Sequence, residues 1–101
     1  MADRIELQET LETILGSRNV YFQPPSNIRM SYPAIVYHRS KYDPVHAENS
    51  IYYLKKRYDL ILIDGNPESE FVEKLIFLPY CTYDRNYVSE NLYHHSFTLY
   101  W

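Results

Sequence analysis

Apolar residues near the N-terminus recur at the spacing of an amphipathic helix. Four of them, at i, i+4, i+7 and i+8, are Leu7, Leu11, Ile14 and Leu15. Glutamates lie on the other side of this helix. Asp3 suits the N-cap position, and Glu6 lies at N3 of a capping box. Gly16 suits a left-handed C-cap. The pattern therefore predicts one helix between Asp3 and Gly16, followed by a very short strand at Val20–Phe22.

Two segments in the middle of the chain show the two-residue alternation of strands. The first, Ala34–Arg39, follows Pro33, whose missing N–H does little harm at a strand start. The second, Ile51–Asp64, has apolar residues on both faces near its end, which predicts a central strand. Ser40–Asn49 is too long for a tight hairpin turn. We predict that it is a long hairpin loop or an excursion from the sheet.

The C-terminal third predicts a helix and then a hairpin. Asn66 suits the N-cap and Pro67 the first helical position. The apolar stripe of this helix consists of Phe71, Val72, Leu75 and Leu78. Residues 80–88 and 92–101 are then predicted to pair as a hairpin that turns at residues 89–91. The last strand places every second residue on one face: Tyr93, His95, Phe97, Leu99 and Trp101.

These elements predict a single α+β domain over residues 1–101. The expected order is α-(β)-β-β-α-β-β, with a mainly antiparallel sheet of four to five strands and both helices available to cover one face. The other face, or the sheet edges, would be left for a partner. Gln23–Pro33 is predicted to be a loop, because Pro24-Pro25 can continue neither a helix nor a central strand.

The composition points towards contact surfaces. Twelve tyrosines are many for a core of this size, and tyrosine suits half-wet interfaces. The net charge of −3, with Lys55-Lys56-Arg57 split between two faces of a strand, disfavours sequence-specific nucleic-acid binding. Cys81 is the only cysteine, which fits a reducing compartment. The charged N-terminus and short apolar runs predict neither a signal peptide nor a membrane span.

Residues with catalytic or metal-binding chemistry are present but poorly arranged. His94-His95 are adjacent on a strand, so they point to opposite faces and cannot chelate one ion together. One of them could converge with His38, yet no third ligand is evident. Cys81 reads either as a nucleophile or as a small buried hydrophobe. Two glycines leave no phosphate-cradling loop. We therefore predict no catalytic, cofactor or metal site, and a protein that is not an enzyme.

A succession of motifs covers the second half of the chain. It consists of Ile63-Asp64, Pro67, Leu78-Pro79-Tyr80-Cys81, Asp84-Arg85, Tyr87, Asn91-Leu92, His94, Phe97 and Leu99-Tyr100-Trp101. Together with the opening RIELQETLETILGSRNVYFQPPSNIRMSYPAIVYHR, this succession resembles the small tail-terminator (tail-completion, or tail-to-head joining) proteins of siphophages of Gram-positive hosts. The resemblance covers most of the chain, and Ser40–Asn49 is its least recognisable part.

The resemblance implies a structural role in the virion, at the head-proximal end of the tail, after assembly in the host cytoplasm. It implies a homohexameric ring that caps the major tail protein, ends tube polymerisation and offers a surface to the head-side connector or stopper protein. Genomic DNA would pass through the lumen without sequence-specific binding. The family implies a small α+β fold and no catalytic residues or cofactors.

Two alternatives stay open. A head-closure (stopper) protein, or another neck component, would be similarly small and ring-forming. A small enzyme or ligand-binding domain built around Cys81 and the histidines is a different class. For assembly, we expect the Ser40–Asn49 and Gln23–Tyr32 segments to reach partners. The candidate interaction residues are Tyr42, Asp43, His46, Tyr83, Arg85, Tyr87, Tyr100 and Trp101.

Overall fold

A computed structural model describes residues 4–26, 28–47 and 50–101, with the backbone alone for Lys41 and for residues 43–47 and 50–55. The elements are α1 (Arg4–Leu15), β1 (Val20–Phe22), β2 (Ala34–Ala47), β3 (Ser50–Asp64), α2 (Phe71–Ile76), β4 (Cys81–Ser89) and β5 (Leu92–Tyr100). This order confirms the predicted α+β class. The proposed N-cap Asp3 lies outside the described residues.

All five strands belong to one sheet, in the order β1-β2-β3-β5-β4. The strand at the centre is β3, as its two apolar faces predicted. Only β1 runs parallel to its neighbour, with Val20 opposite Ile35. The pairs β2–β3, β3–β5 and β4–β5 are antiparallel. A parallel pair needs a crossover connection, which residues 23–33 supply.

The core lies between one face of the sheet and the two helices. Leu7 and Leu11 of α1 and Leu75 of α2 are fully buried against the sheet. The strand residues of this cluster are Val20, Ile35, Tyr37, Tyr58, Leu60, Leu62, Phe97 and Leu99. We call this side the helix-covered face. The predicted face of β5 is confirmed at Phe97 and Leu99, which are fully buried.

Of the two alternatives predicted for Ser40–Asn49, the described residues 40–47 form an excursion from the sheet and not a hairpin loop. β2 continues to Ala47 and pairs with β3 down to Ala47 opposite Ser50. The neighbours stop earlier, because β1 pairs with β2 only as far as Tyr37 and β5 pairs with β3 only from Arg57. Residues 41–47 and 50–56 thus form a two-stranded ribbon that projects beyond the sheet. Its backbone groups are satisfied by the opposite strand, so polar side chains do not force a loop.

The second helix begins later than predicted. Asn66 and Pro67 precede it, and α2 starts at Phe71 with Glu70 as a cap that makes no side-chain bond. The Asp64 carboxylate accepts a hydrogen bond from the Asn66 N–H at 3.0 Å, and Asn66 Oδ1 accepts one from the Glu68 N–H at 2.9 Å. These two-residue turns compete with helical hydrogen bonding, which explains the later start.

The structure contains the end of α1 and the turn of the last hairpin, which were both predicted from turn-forming residues. Gly16 follows α1 with φ +74°, and its N–H donates to the Glu12 carbonyl at 2.9 Å. This is the left-handed C-cap that a glycine accepts easily. The last hairpin turns on two residues, Glu90 and Asn91, both with positive φ, while Ser89 already pairs with Leu92.

Candidate interaction surfaces

The ribbon carries three of the predicted interaction residues. Tyr42 lies at its base and is 50% exposed. Asp43 and His46 lie further along β2, opposite Lys55 and Ile51 in register. The side chains of Asp43 and His46 fall outside the described part of the structure. The fold therefore brings the backbones of these three residues together on one projecting element.

An arginine occupies the helix-covered face where the ribbon leaves the sheet. The Arg39 guanidinium carbon lies 5.7 Å from the Phe22 ring centroid, 5.4 Å from that of Tyr42 and 5.5 Å from that of Tyr58. Its Nε and Nη2 donate to the Tyr58 hydroxyl at 3.3 and 3.2 Å, and Nη1 donates to the Tyr42 hydroxyl at 2.9 Å. The hydrogen bond to Tyr58 raises the pKa of Arg39, which keeps the group charged.

A second arginine stacks on the same phenylalanine. The Arg4 guanidinium carbon lies 4.6 Å from the Phe22 ring centroid, and Nη1 donates to the Tyr37 hydroxyl at 3.3 Å. That hydroxyl in turn donates to Gln8 Oε1 at 2.5 Å. We call Arg4, Arg39, Phe22, Tyr37, Tyr42 and Tyr58 the arginine–aromatic cluster. Among the described residues, no carboxylate forms an ion pair with either arginine, whereas Arg57 and Asp59 do pair, at 3.6 Å.

The opposite side of the sheet, which we call the helix-free face, carries a stack at its β4 edge. The Tyr87 and His94 rings lie 4.8 Å apart at an interplanar angle of 13°. The Arg85 guanidinium carbon lies 5.1 Å from the Tyr87 ring centroid. The predicted interaction residues Arg85 and Tyr87 are thus brought together, and Arg85 is exposed. Further in, the face is apolar, with Val36 and Ile63 buried and Ile61 half-buried.

Tyr83, also a predicted interaction residue, faces the other way. Its ring meets Phe97 edge-on with centroids 5.2 Å apart. Its hydroxyl lies 3.0 Å from His95 Nδ1 and accepts a hydrogen bond from Asn86 Nδ2 at 3.0 Å. The register shift in β4 between Tyr83 and Arg85 therefore splits Tyr83 from Arg85 and Tyr87, and Tyr83 acts in packing rather than on the open face.

The two C-terminal residues also divide between packing and exposure. Trp101 packs against the core cluster, and its N–H donates to the Lys56 carbonyl at 3.0 Å. Tyr100 is half-buried and lies opposite Arg57. Its N–H donates to the Tyr80 carbonyl at 3.2 Å. The end of the chain is therefore anchored in the sheet, at the base of the ribbon.

The fold perturbs the titration of His95. Burial lowers the pKa of His95, and the nearby His94 adds to this, while Asp64 opposes it. The charged groups that line the cleft beside it are Glu68, Glu70 and Glu73. A histidine with a lowered pKa in the folded state binds fewer protons than its unfolded counterpart. The stability that this difference contributes is therefore fully present above the ordinary pKa of 6.5 and is lost as the pH falls below it.

We expect the midpoint of thermal unfolding to fall as the pH is lowered from about 7.5 to about 5, because unfolding then takes up a proton at His95. His95→Gln should flatten this dependence. His38→Gln, at an exposed strand position, is the matched control and should keep the wild-type slope. Equal slopes in all three proteins would show that His95 does not control the acid response.

The structure gives little support for a reactive Cys81 thiol or for a metal site among the described residues. Burial raises the pKa of the Cys81 thiol to about 11, so it stays protonated at neutral pH and is not activated as a nucleophile. In the part of the chain that the structure describes, no three His, Cys, Asp or Glu side chains are grouped to hold a metal ion. None of the helices formed by described residues is long and apolar enough to cross a membrane.

Sequence reasoning missed three positions. Arg39 follows Ile35 and Tyr37 in the same alternation, so a charge on the buried face was visible as a signal in the sequence. Phe77 and Tyr80 flank the end of α2 and are 84% and 81% exposed. No periodicity could identify those two, because the chain leaves the helix between them.

No family model, curated protein or solved structure matches this chain. The resemblance to tail-terminator proteins therefore stays a prediction from the sequence.

Proposed function

We propose that the protein is a structural component of a bacteriophage virion, the tail terminator. Its copies would assemble as a ring, with six subunits expected, on the end of the tail tube. The ring would end polymerisation of the major tail protein and join the tail to the head-side connector. Genomic DNA would pass through the ring without sequence-specific binding.

The observation that supports this proposal best is the projecting ribbon. Among the described residues, the part of β2 after Tyr37 and the part of β3 before Arg57 pair as strands only with each other, and the Trp101 N–H adds one bond to the Lys56 carbonyl. A two-stranded ribbon by itself is marginally stable in water. A ribbon that extends beyond its sheet therefore gains stability by packing against another subunit, and the tube or the connector offers such a surface.

The sheet itself supplies further contact surface. Its edges are β1 and β4, and β4 runs for nine residues, Cys81–Ser89. An unpaired edge of this length can add a strand from a neighbour. The helix-free face adds the Arg85–Tyr87–His94 stack. Ring assembly needs two different patches on each subunit, and the edges and faces of this fold provide them.

The proposal is tested by deleting the gene from the phage that carries it and examining the lysate by electron microscopy. We expect DNA-filled heads beside free tails that are overlong or lack the joining end. Tails of normal length beside heads that have lost their DNA would instead indicate the stopper role. Complete, infectious particles would contradict both roles. Expression of the wild-type gene in trans is the control.

A further inference from the structure

We propose that the base of the projecting ribbon binds the phosphate backbone of double-stranded DNA through a cluster of basic residues. This inference goes beyond the proposed function, which requires no affinity for DNA. The starting observation is that half of the ten lysines and arginines lie on two short, paired strand segments: Arg39, Lys41, Lys55, Lys56 and Arg57. We call these five residues the basic collar.

The pairing of β2 with β3 brings the basic collar together. Alternation along β3 alone sends neighbouring cations to opposite faces of the strand. The second strand supplies further cations beside them, because Lys41 lies opposite Arg57 in register and Arg39 lies opposite Tyr58. Residues 55–58 of β3 span roughly 10 Å at the usual rise of a strand. The collar is therefore a short region, and it exists only in the paired ribbon.

The basic collar is also where positive charge exceeds negative charge. Residues 39–43 and 55–59 contain five cations and two carboxylates, those of Asp43 and Asp59, so their formal charge is +3. The other residues contain five cations and eleven carboxylates, so their formal charge is −6. The net charge of −3 is therefore the sum of a basic ribbon base and an acidic remainder.

Two collar side chains that the structure describes, Arg39 and Lys56, are partly exposed. Arg57 pairs with Asp59 at 3.6 Å, but no described carboxylate forms an ion pair with Arg39 or Lys56. Hydrogen bonds to two tyrosine hydroxyls hold the Arg39 guanidinium and leave two of its five N–H groups. A guanidinium ordered in this way loses less entropy when it binds an anion.

Arg4 extends the basic region on the helix-covered face. The guanidinium carbons of Arg4 and Arg39 lie 4.6 and 5.7 Å from the Phe22 ring centroid, so they are at most about 10 Å apart. A DNA duplex carries one negative charge per about 1.7 Å of its axis, so a region of this size faces several phosphates. The rest of the ribbon, residues 44–47 and 50–54, stays available for the subunit contact proposed above.

The lysine content of the collar favours phosphates over a carboxylate surface. Three of its five residues are lysines. Lysine is depleted at protein–protein interfaces, where arginine and aromatic residues are enriched. It binds phosphates as a point charge, and the sum of such contacts gives binding that depends on salt but not on sequence. The collar therefore suits a phosphodiester backbone, and an acidic polypeptide becomes the competing outcome of the test.

The test measures the affinity of the full chain for a labelled DNA duplex of about 30 base pairs, between about 50 and about 200 mM salt. We expect the dissociation constant to rise with salt at a log–log slope of about 4, because about four collar contacts remain once Arg57 is paired. Changing all three collar lysines, as Lys41→Gln, Lys55→Gln and Lys56→Gln, should weaken binding at the lowest salt at least about tenfold and lower the slope to about 1. Two duplexes of unrelated sequence should be affected equally.

A matched control removes three positive charges from exposed positions outside the collar: Arg18→Gln, Arg29→Gln and Lys74→Gln. Its affinity should stay within about twofold of the wild-type value, because the net charge of the whole chain acts only weakly on the contact. If the variant without collar lysines does not fold, Lys56→Gln alone should still lower the slope by about 1.

Absence of duplex binding by the wild type at the lowest salt would overturn the inference, and so would equal losses of affinity in the collar and control variants. Tighter binding to a single strand than to the duplex would overturn the choice of double-stranded DNA. Binding of polyglutamate instead of DNA, lost in the collar variant, would assign the collar to an acidic protein surface.

The outcomes of this test and of the gene deletion are separable. Infectious particles without the gene, together with duplex binding by the purified chain, would reject the tail role and keep the DNA contact. Unjoined heads and tails, together with a purified chain that does not bind the duplex, would keep the tail role and reject the DNA contact.

Discussion

Replacing Phe97 by alanine is expected to lower the free energy of unfolding by about 3–5 kcal/mol, the largest effect of any single substitution considered. Phe97 is fully buried in β5, between Leu60 of β3 and Tyr83 of β4 in the register. The truncation would leave a cavity and remove the edge-on contact with the Tyr83 ring. For a domain of this size the unfolding midpoint should fall by on the order of 15 °C.

Phe77→Ala is the matched control, because it removes the same side chain from a position that is 84% exposed. Its effect on unfolding should stay within about 0.5 kcal/mol. If Phe97→Ala does not fold, Phe97→Leu provides a smaller loss at the same site. Similar midpoints for the Phe97 and Phe77 variants would mean that the core does not lie where the structure puts it.

Removing the ribbon is expected to abolish assembly while leaving the domain folded. Residues 42–56 can be replaced by Asn-Gly, a two-residue turn that closes the antiparallel pair Lys41–Arg57. Within the excised segment, Tyr42 and Lys56 are the residues whose side chains the structure describes, and neither belongs to the core cluster. The unfolding midpoint should therefore change little. In a phage carrying this variant, we expect the same unjoined heads and tails as after gene deletion.

The control for this experiment is the other hairpin. Glu90→Asn with Asn91→Gly alters a turn of the same type and should leave both stability and joining intact, since both residues already have positive φ. Unfolding of the ribbon-deleted protein would show that the ribbon supports the core. Joined, infectious particles would show that the ribbon does not contact tube or connector.

The local pattern of apolar and polar residues was sufficient to predict most of the helices and strands. The four-residue recurrence of leucines in α1 and the alternation in β3 and β5 each reflect one buried face, and a period of 3.6 or 2 records that face directly. The central position of β3 followed from apolar residues on both faces. Gly16 and the Glu90–Asn91 turn were readable because their backbone conformations suit few residues.

The structure separates candidate interaction residues that lie close together in the sequence. The register shift in β4 packs the partly buried Tyr83 against the core cluster and leaves Arg85 and Tyr87 on the helix-free face. A strict two-residue alternation would place Tyr83, Arg85 and Tyr87 on one face, so neither that period nor residue type predicts their separation. The exposure of Phe77 and Tyr80 could not be predicted from a helix or strand period, because they lie where one element ends and the next begins.

The sequence alone determined the order of elements, the central strand and the buried face of the C-terminal strand, because each depends on neighbours within a few residues. Tertiary structure decided the rest. Residues 40–47 became strand because residues 50–57 pair with them, and the contacts of Arg39 with Phe22 and Tyr58 exist only once three strands align. Such contacts join residues 17 and 19 positions apart in the chain, and no local pattern records a distance of that kind.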